Sequence, residues 1–351
     1  MTCRFLPDKT GKTFFANGLP VYSNIVQSPT LKNCHMVAAL SSLAWINNKY
    51  FSPAQNAAVC SFKFYDRDPN PVRGDGKGQY PQNIDITKLK SDGMEVSVTT
   101  NIFMDDQNFS WCQASSKLAE TWPALWEKAF AKFCMFKIKK SITYKQLVSA
   151  DTDPDFSTLP KGSDWGGNPS TCLSYLTNGS VNPKPYTTFS SFKLNSAEIY
   201  KFIRSLCVTN RIGTNATGLG IYNGAKTKYP MGAWTYQDAA SAKTIANVDI
   251  TYKTTTIAAD HCYSILGIYE DNTGQYIVLR NPYGNSDPEQ VAVGKGPWIF
   301  YDTQYQIGNM VPLGAGKAVS FDFSTVDGIF ALDVKVFSQY FEGFGYVSPL
   351  P

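Results

Sequence analysis

Three residues in this chain have the types and settings to carry out chemistry together: Cys34, His261 and Asn281. Cys34 opens "CHMVAALSSLAW", a run with helical spacing. A thiol near its free pKa is mostly protonated at neutral pH, and a helix N-terminus and a nearby imidazolium both favour the thiolate. The chain has only two histidines, which makes the search for a base short. His35 is adjacent to Cys34, and adjacent helical side chains point about 100° apart, so it is expected to diverge from the thiol. That leaves His261, at the head of "HCYSILGIYE". The next β-prone run, "GQYIVLRNPYG", carries Asn281 at its end. Antiparallel pairing would set the two side by side, and the Asn carbonyl would fix the tautomer and orientation of the imidazole. The resulting chemistry is nucleophilic acyl transfer through a thioester. Each residue also has a plainer reading: a buried thiol, a packed histidine, and an Asn that starts a turn before Pro282. Cys262, next to His261 along a strand, is expected to face the other way as a small buried hydrophobe. His35 is expected to be a partly exposed helix residue, or to line the rim of the cleft.

Several elements must position these groups. Val37, Leu40, Ser41, Ala44 and Trp45 recur at three- and four-residue steps and predict a helix over 34–47. "MEVSVTTNIFM" predicts a strand, and "SSKLAETWPALWEKAFAKF" predicts a helix with a stripe of Leu118, Trp122, Leu125, Trp126, Ala129 and Phe133. That stripe reads as core. "YDRDPNPVRGDGKGQYPQN" reads as a long surface loop, and residues 149–170, rich in Asp, Pro and Gly, as a boundary. Asp151, Asp153 and Asp155 mimic the opening of a calcium loop. Phe156 and Gly162 stand where that loop needs Gly and Glu, so the stretch reads as a solvated linker. Beyond it, "NSAEIYKFIRSLCVTN" predicts a short helix, and "PWIFYD" joins the two runs above as short strands. The first half is mainly helical and the second mainly β.

Composition sets the bounds. The 351 residues are 43 % hydrophobic and 14 % aromatic, enough for a large core, with only 17 % charged. A net charge of +4, without long runs of either sign, argues against a dedicated nucleic-acid or membrane-surface binder. No apolar run is long enough to span a bilayer, and the start lacks the pattern of a signal peptide. The expectation is a cytoplasmic monomer. The eight cysteines include no C-x-x-C pair and read as reduced thiols. The sequons at Asn108, Asn178 and Asn215 are as many as chance supplies in so Asn-, Ser- and Thr-rich a chain.

"NCHMVAALSSLAW", "DHCYSILGI" and "VLRNPYG", in this order, resemble the three active-site blocks of the calpain family of cysteine proteases. "TWPALWEKAFAKF" resembles the helix before that family's domain boundary, Gly166 and Gly167 resemble the segment just past that boundary, and "DGIFALDVKVFSQYFEGFGY" resembles the end of its protease core. The likeness covers roughly residues 20 to 346, and several moderately specific blocks in the right order are strongly specific together. It implies an α+β, papain-like two-lobed protease core. The helical lobe would span 1–160 and carry the nucleophile. The antiparallel β-rich lobe would span 161–351 and carry His and Asn, with the site in the cleft between them. It implies Cys34 as nucleophile, His261 as general acid/base and Asn281 as orienter. It also implies an oxyanion-hole glutamine, for which Gln27 is the candidate, seven positions before Cys34 where the family usually has six. Two blocks depart from the family: Gly-Asp-Cys-Trp becomes Lys32-Asn33-Cys34-His35, and Asn-Pro-Trp becomes Asn281-Pro282-Tyr283. The chain resembles the protease core alone. No cofactor is needed for the chemistry. Calcium is a candidate activator without assignable ligands. The expected partner is a protein or peptide substrate. A degenerate protease that binds peptides, and an acyl transferase with an acceptor other than water, are the other functions this constellation allows.

Overall fold

The computed structural model describes residues 4–6, 14, 20–27, 32–46, 51, 54–55, 58–66, 76–104, 112–114, 120–153, 167–177, 187–207, 212–214, 221–252, 257–270, 274–284, 293–294, 298–301, 318–321 and 328–347. Every structural statement concerns those residues. The first half runs β1 (Arg4–Leu6), β2 (Ile25–Gln27), α1 (Cys34–Ile46), β3 (Ala54–Gln55), β4 (Val59–Phe64) and α2 (Ile86–Ser91). It continues with β5 (Met94–Thr99), β6 (Ile102–Met104), β7 (Cys112–Ala114), α3 (Trp122–Lys137) and α4 (Tyr144–Val148). Then come α5 (Pro169–Leu176), β8 (Thr187–Ser190), α6 (Ser196–Ser205), β9 (Ile212–Thr214), β10 (Ile221–Thr235) and α7 (Ala239–Ala246). The rest comprises β11 (Cys262–Glu270), β12 (Gln275–Arg280), β13 (Val293–Gly294), β14 (Trp298–Tyr301), β15 (Ala318–Phe321), β16 (Ile329–Asp333), α8 (Val334–Tyr340) and β17 (Phe341–Tyr346). The fold is α+β with antiparallel sheets.

The largest sheet has the order β13-β16-β12-β11-β10-β17-β8, with β9 added on β10. Alternation along β12 sends Ile277 and Leu279 to one face and Tyr276 and Val278 to the other. Both faces are covered, which is why β11 and β12 read as nearly continuous apolar runs. Ile199 and Ile203 of α6 and Phe337 of α8 cover the first face. Trp45 and Ile46, at the end of α1, cover the second beside Leu266, Ile329 and Ala331. A separate core gathers α1, α3, β4, β5 and α5 around Trp126, whose ring meets Phe51, Phe62 and Phe64 at centroid distances of 5.5, 4.7 and 5.6 Å.

Helix α1 lies between these cores, and 11 of its 13 residues are buried. The spacing predicted one apolar face. The structure uses nearly the whole circumference, because small residues let the helix pack on every side. The predicted strand 94–104 is broken in two: β5 pairs with β4, while β6 pairs with β1. Lys128 of α3 takes the carbonyls at the break, with Nζ donating to Thr99 O at 3.0 Å and Asn101 O at 2.8 Å. The helix predicted over 115–133 begins at Trp122 and runs on to Lys137; residues 115–119 lie outside the described ones. Helix α6 forms as predicted and carries a capping box of Asn195 and Glu198.

Asp153, one of the apparent calcium-loop aspartates, is paired with Lys128 at 2.8 Å. Asp155, Phe156, Gly162 and Gly166 lie outside the described residues, as do Asn108, Asn178 and Asn215. Cys34, Cys60, Cys134, Cys172, Cys207 and Cys262 are free thiols. Among the described residues no helix is long and apolar enough to cross a membrane.

Candidate active site

The start of α1 is held on two sides. Before it, the Asn33 carbonyl accepts the backbone N–H groups of Met36 at 2.9 Å and Val37 at 3.1 Å, so Cys34 is the first residue of the helix. The fully buried Asn33 amide donates to the carboxyl of Glu127 on α3. Along its length, α1 is pinned to the large sheet. Met231 N donates to Ser42 Oγ at 2.6 Å, Ser264 Oγ to the Ala38 carbonyl at 2.7 Å, and Trp45 Nε1 to the Leu266 carbonyl at 2.8 Å. The buried Arg280 guanidinium ties three elements together, donating to Ser41 Oγ at 3.2 Å on α1 and to the Ile25 carbonyl at 2.8 Å on β2.

His261 is not on β11 but immediately before it. Asp260 stands in the left-handed region (φ 47°), and its N–H bonds to the Tyr236 carbonyl at 2.9 Å. Thr235 Oγ1 accepts the His261 N–H at 3.1 Å and donates to its carbonyl at 3.2 Å, holding the backbone of the base from the end of β10. On the other side, Asn281-Pro282-Tyr283-Gly284 forms a β-turn with Asn first, Pro second and Gly last, closed by Gly284 N to the Asn281 carbonyl at 3.0 Å. Gly284 (φ 70°) and Gly328 (φ 74°) both need their glycines. A Cβ on Gly328 would stand 2.7 Å from the Asn281 carbonyl oxygen, and the Asn281 N–H donates to the Gly328 carbonyl at 2.7 Å.

This turn aims Asn281 Oδ1 at the imidazole. His261 Nε2 lies 2.9 Å from Oδ1, and the Tyr283 N–H donates to the same oxygen at 3.1 Å. A backbone N–H needs an acceptor, which identifies that atom as the amide oxygen and makes Nε2 the protonated nitrogen. Nδ1 is then the ring nitrogen left for the thiol. Tyr283 lies over the imidazole, with centroids 4.7 Å apart and planes 11° from parallel, on a histidine that is only 4 % exposed. Asn281 therefore both starts a turn and holds the His261 imidazole.

Cys34, His35, His261, Cys262, Gln27 and Tyr283 all line one cleft of about 670 Å³. Gln27 ends β2, and its N–H donates to the Pro282 carbonyl at 2.8 Å, which ties the strand carrying Gln27 to the Asn281 turn. The Cys34 thiol is held well below its usual pKa. The largest cause is a hydrogen bond from Cys262, followed, against the opposing effect of burial, by hydrogen bonds from His261 and His35 and the charge of His261. Cys262 is pushed up by its bond to Cys34 and by burial. Of the two thiols, Cys34 holds the charge, because it has the helix N-terminus and the base beside it.

Two expectations are overturned. Cys262 was expected to face away from His261 as a small buried hydrophobe; it is buried, but it lines the same cleft. Strand alternation does not apply across the left-handed Asp260 and the irregular His261. His35 was expected to be partly exposed; it is 6 % exposed, edge-on to Phe130 at 6.3 Å, and lines the cleft beside Cys34. The cleft wraps the end of α1, so directions 100° apart both open into it. Glu127 and Arg280 were missed. Arg280 is a lone charge at the end of an apolar run, and Glu127 sits beside Lys128 within an apolar helical stretch; a charge at a core position is itself a signal.

Among the described residues, no group of three or more His, Cys, Asp or Glu side chains is arranged to hold a metal ion. No family model matches the chain, and no curated protein matches it significantly.

Proposed function

We propose that the chain is a cysteine endopeptidase of the calpain-like, papain-like kind, with lobes over 1–160 and 161–351 and its site in the cleft that holds Cys34. The observation that carries this reading is the 2.9 Å bond from His261 Nε2 to Asn281 Oδ1 in the cleft that contains a helix-start thiol. The Cys34 thiolate attacks the carbonyl carbon of a bound peptide, and the carbonyl electrons move to oxygen. The Cys34 N–H and the Gln27 amide are the donors proposed for that oxyanion. The tetrahedral intermediate collapses, the C–N bond breaks, and the imidazolium gives its Nδ1 proton to the leaving amine. A water molecule, deprotonated by the same nitrogen, then releases the acid and restores the thiol. Asn281 keeps the ring in register throughout, and Tyr283 shields the His261–Asn281 bond from water. Calcium, if it activates, would shift the population toward the arrangement in which the thiol and the base are aligned.

The test is intact-mass labelling with an epoxysuccinyl thiol-protease inhibitor, with and without calcium, on the parent and on Cys34→Ala, together with hydrolysis of an unstructured protein. The expected result is one label, absent in Cys34→Ala, and hydrolysis blocked by it. Slow or scattered labelling would overturn the reading in favour of a peptide-binding cleft. Clean labelling without hydrolysis would move it to acyl transfer onto another acceptor.

A further inference from the structure

The cleft contains a second thiol that the acyl chemistry does not use. Its place is set by how α1 lies on the sheet. Ser264 of β11 bonds to Ala38 of α1, and further along, the Leu266 carbonyl bonds to Trp45, so helix and strand run side by side in the same direction. One helical turn back from Ala38, about 6 Å, is Cys34. Two strand residues back from Ser264, about 7 Å, is Cys262 on the same face. The two thiols therefore meet at the cleft floor, and both line it.

We propose that Cys34 and Cys262 are a reversible redox pair: a hydroperoxide oxidises Cys34 to the sulfenic acid, and Cys262 closes it to an intramolecular disulfide. Cys34 is the partly exposed member of the pair and Cys262 the buried one, so the oxidant meets Cys34 first. The Cys34 sulfur attacks a peroxide oxygen, the O–O bond breaks, and the second oxygen leaves as alcohol or water. The Cys262 sulfur then attacks the sulfenic sulfur, its S–H proton and the hydroxyl leave as water, and the S–S bond forms. Two thiols are oxidised by one hydroperoxide, and a dithiol reverses the step by exchange. The Cys34 thiolate raises the Cys262 pKa; once Cys34 is a neutral sulfenic acid, that charge is gone and Cys262 ionises more readily as it attacks. Closure removes the nucleophile and protects it from irreversible oxidation. Cys172 of α5 is near enough to feel the Cys34 charge, yet it is wholly buried and forms no hydrogen bond with Cys34. The inference rests on the thiol pair and not on peptide cleavage.

The test is a brief hydrogen peroxide pulse on the parent and on Cys262→Ser, read by intact mass and by peptide mapping without reduction. Serine keeps a donor beside Cys34 but cannot form the bond. The parent is expected to lose two hydrogens, to yield a peptide pair linked through Cys34 and Cys262, and to recover full epoxysuccinyl labelling after dithiothreitol. Cys262→Ser is expected to gain two oxygens on Cys34 and to recover none. A Cys34–Cys172 link, or equal over-oxidation of Cys34 in both proteins, would overturn the proposal. Should Cys262→Ser not fold, the parent's linked peptide or its absence decides alone.

Discussion

Glu127→Gln isolates one proton beside the helix that carries Cys34. Glu127 is 1 % exposed, its carboxyl accepts from the Asn33 amide, and burial pushes its pKa from 4.5 up to about 8. Asn33 partly opposes that rise by favouring the charged form. Between these two values the unfolded chain has lost the proton and the folded chain still holds it. The unfolded state therefore binds fewer protons, and stability falls as pH rises. The contribution is fully present below the unfolded pKa and is lost as pH rises through the folded one. The span is worth roughly 5 kcal/mol at about 1.4 kcal/mol per pH unit, most of it between about pH 5 and about pH 8. For a chain of this length that is about 5 °C in Tm.

Glutamine presents the same carbonyl oxygen to Asn33 and has nothing to titrate. Thermal and urea unfolding of the parent and Glu127→Gln at the two pH values therefore read the difference directly. The parent is expected to lose several kcal/mol more than the variant on going to the higher pH, while the variant keeps its epoxysuccinyl labelling. Parallel stability curves would refute the buried, proton-holding carboxyl, and with it the account of how Asn33 is anchored in front of Cys34.

The site geometry sets two further outcomes. Asn281→Ala removes the bond that orients His261; a hydrogen bond to an ionised group contributes about 1.5–3 kcal/mol, so kcat/KM is expected to fall about 10- to 150-fold with the fold intact, and unchanged peptide hydrolysis would remove Asn281 from the mechanism. Alkylation of Cys34 is expected to stay fast below the ordinary thiol range and to fall as pH drops through the lowered pKa, and Cys262→Ala, by deleting the largest cause, is expected to move that midpoint upward. A midpoint that did not move in a labelling-rate titration would show that the second thiol does not hold the charge on Cys34.

What could be read in the chain depended on how local its cause was. The turn Asn281-Pro282-Tyr283-Gly284 needs no tertiary context, because Asn, Pro and Gly each favour the position they occupy. The same residues then aim the Asn281 oxygen, so both the turn and the orienting role were visible in the sequence. Helix α1 was legible as a helix, but its burial was not: the small residues Ala38, Ala39 and Ser42 lie outside the recurring face until strands β10 and β11 are laid against them. The long strand over 94–104 was misread because its interruption comes from Lys128, on a helix far along the chain.

The two errors at the site, His35 and Cys262, share one cause. Both came from extending the period of a regular element through its terminal residue. Cys34 and His35 are the first two residues of α1, and His261 and Cys262 straddle the start of β11. At such ends, the residue just outside the element escapes its period, and the shape of the cleft decides which neighbours share the site. A candidate site built from a helix start and a strand start is therefore where pattern reasoning brings distant residues together and misjudges their neighbours. One of those neighbours is also where this chain departs from the protease blocks it resembles: His35 stands in place of Trp.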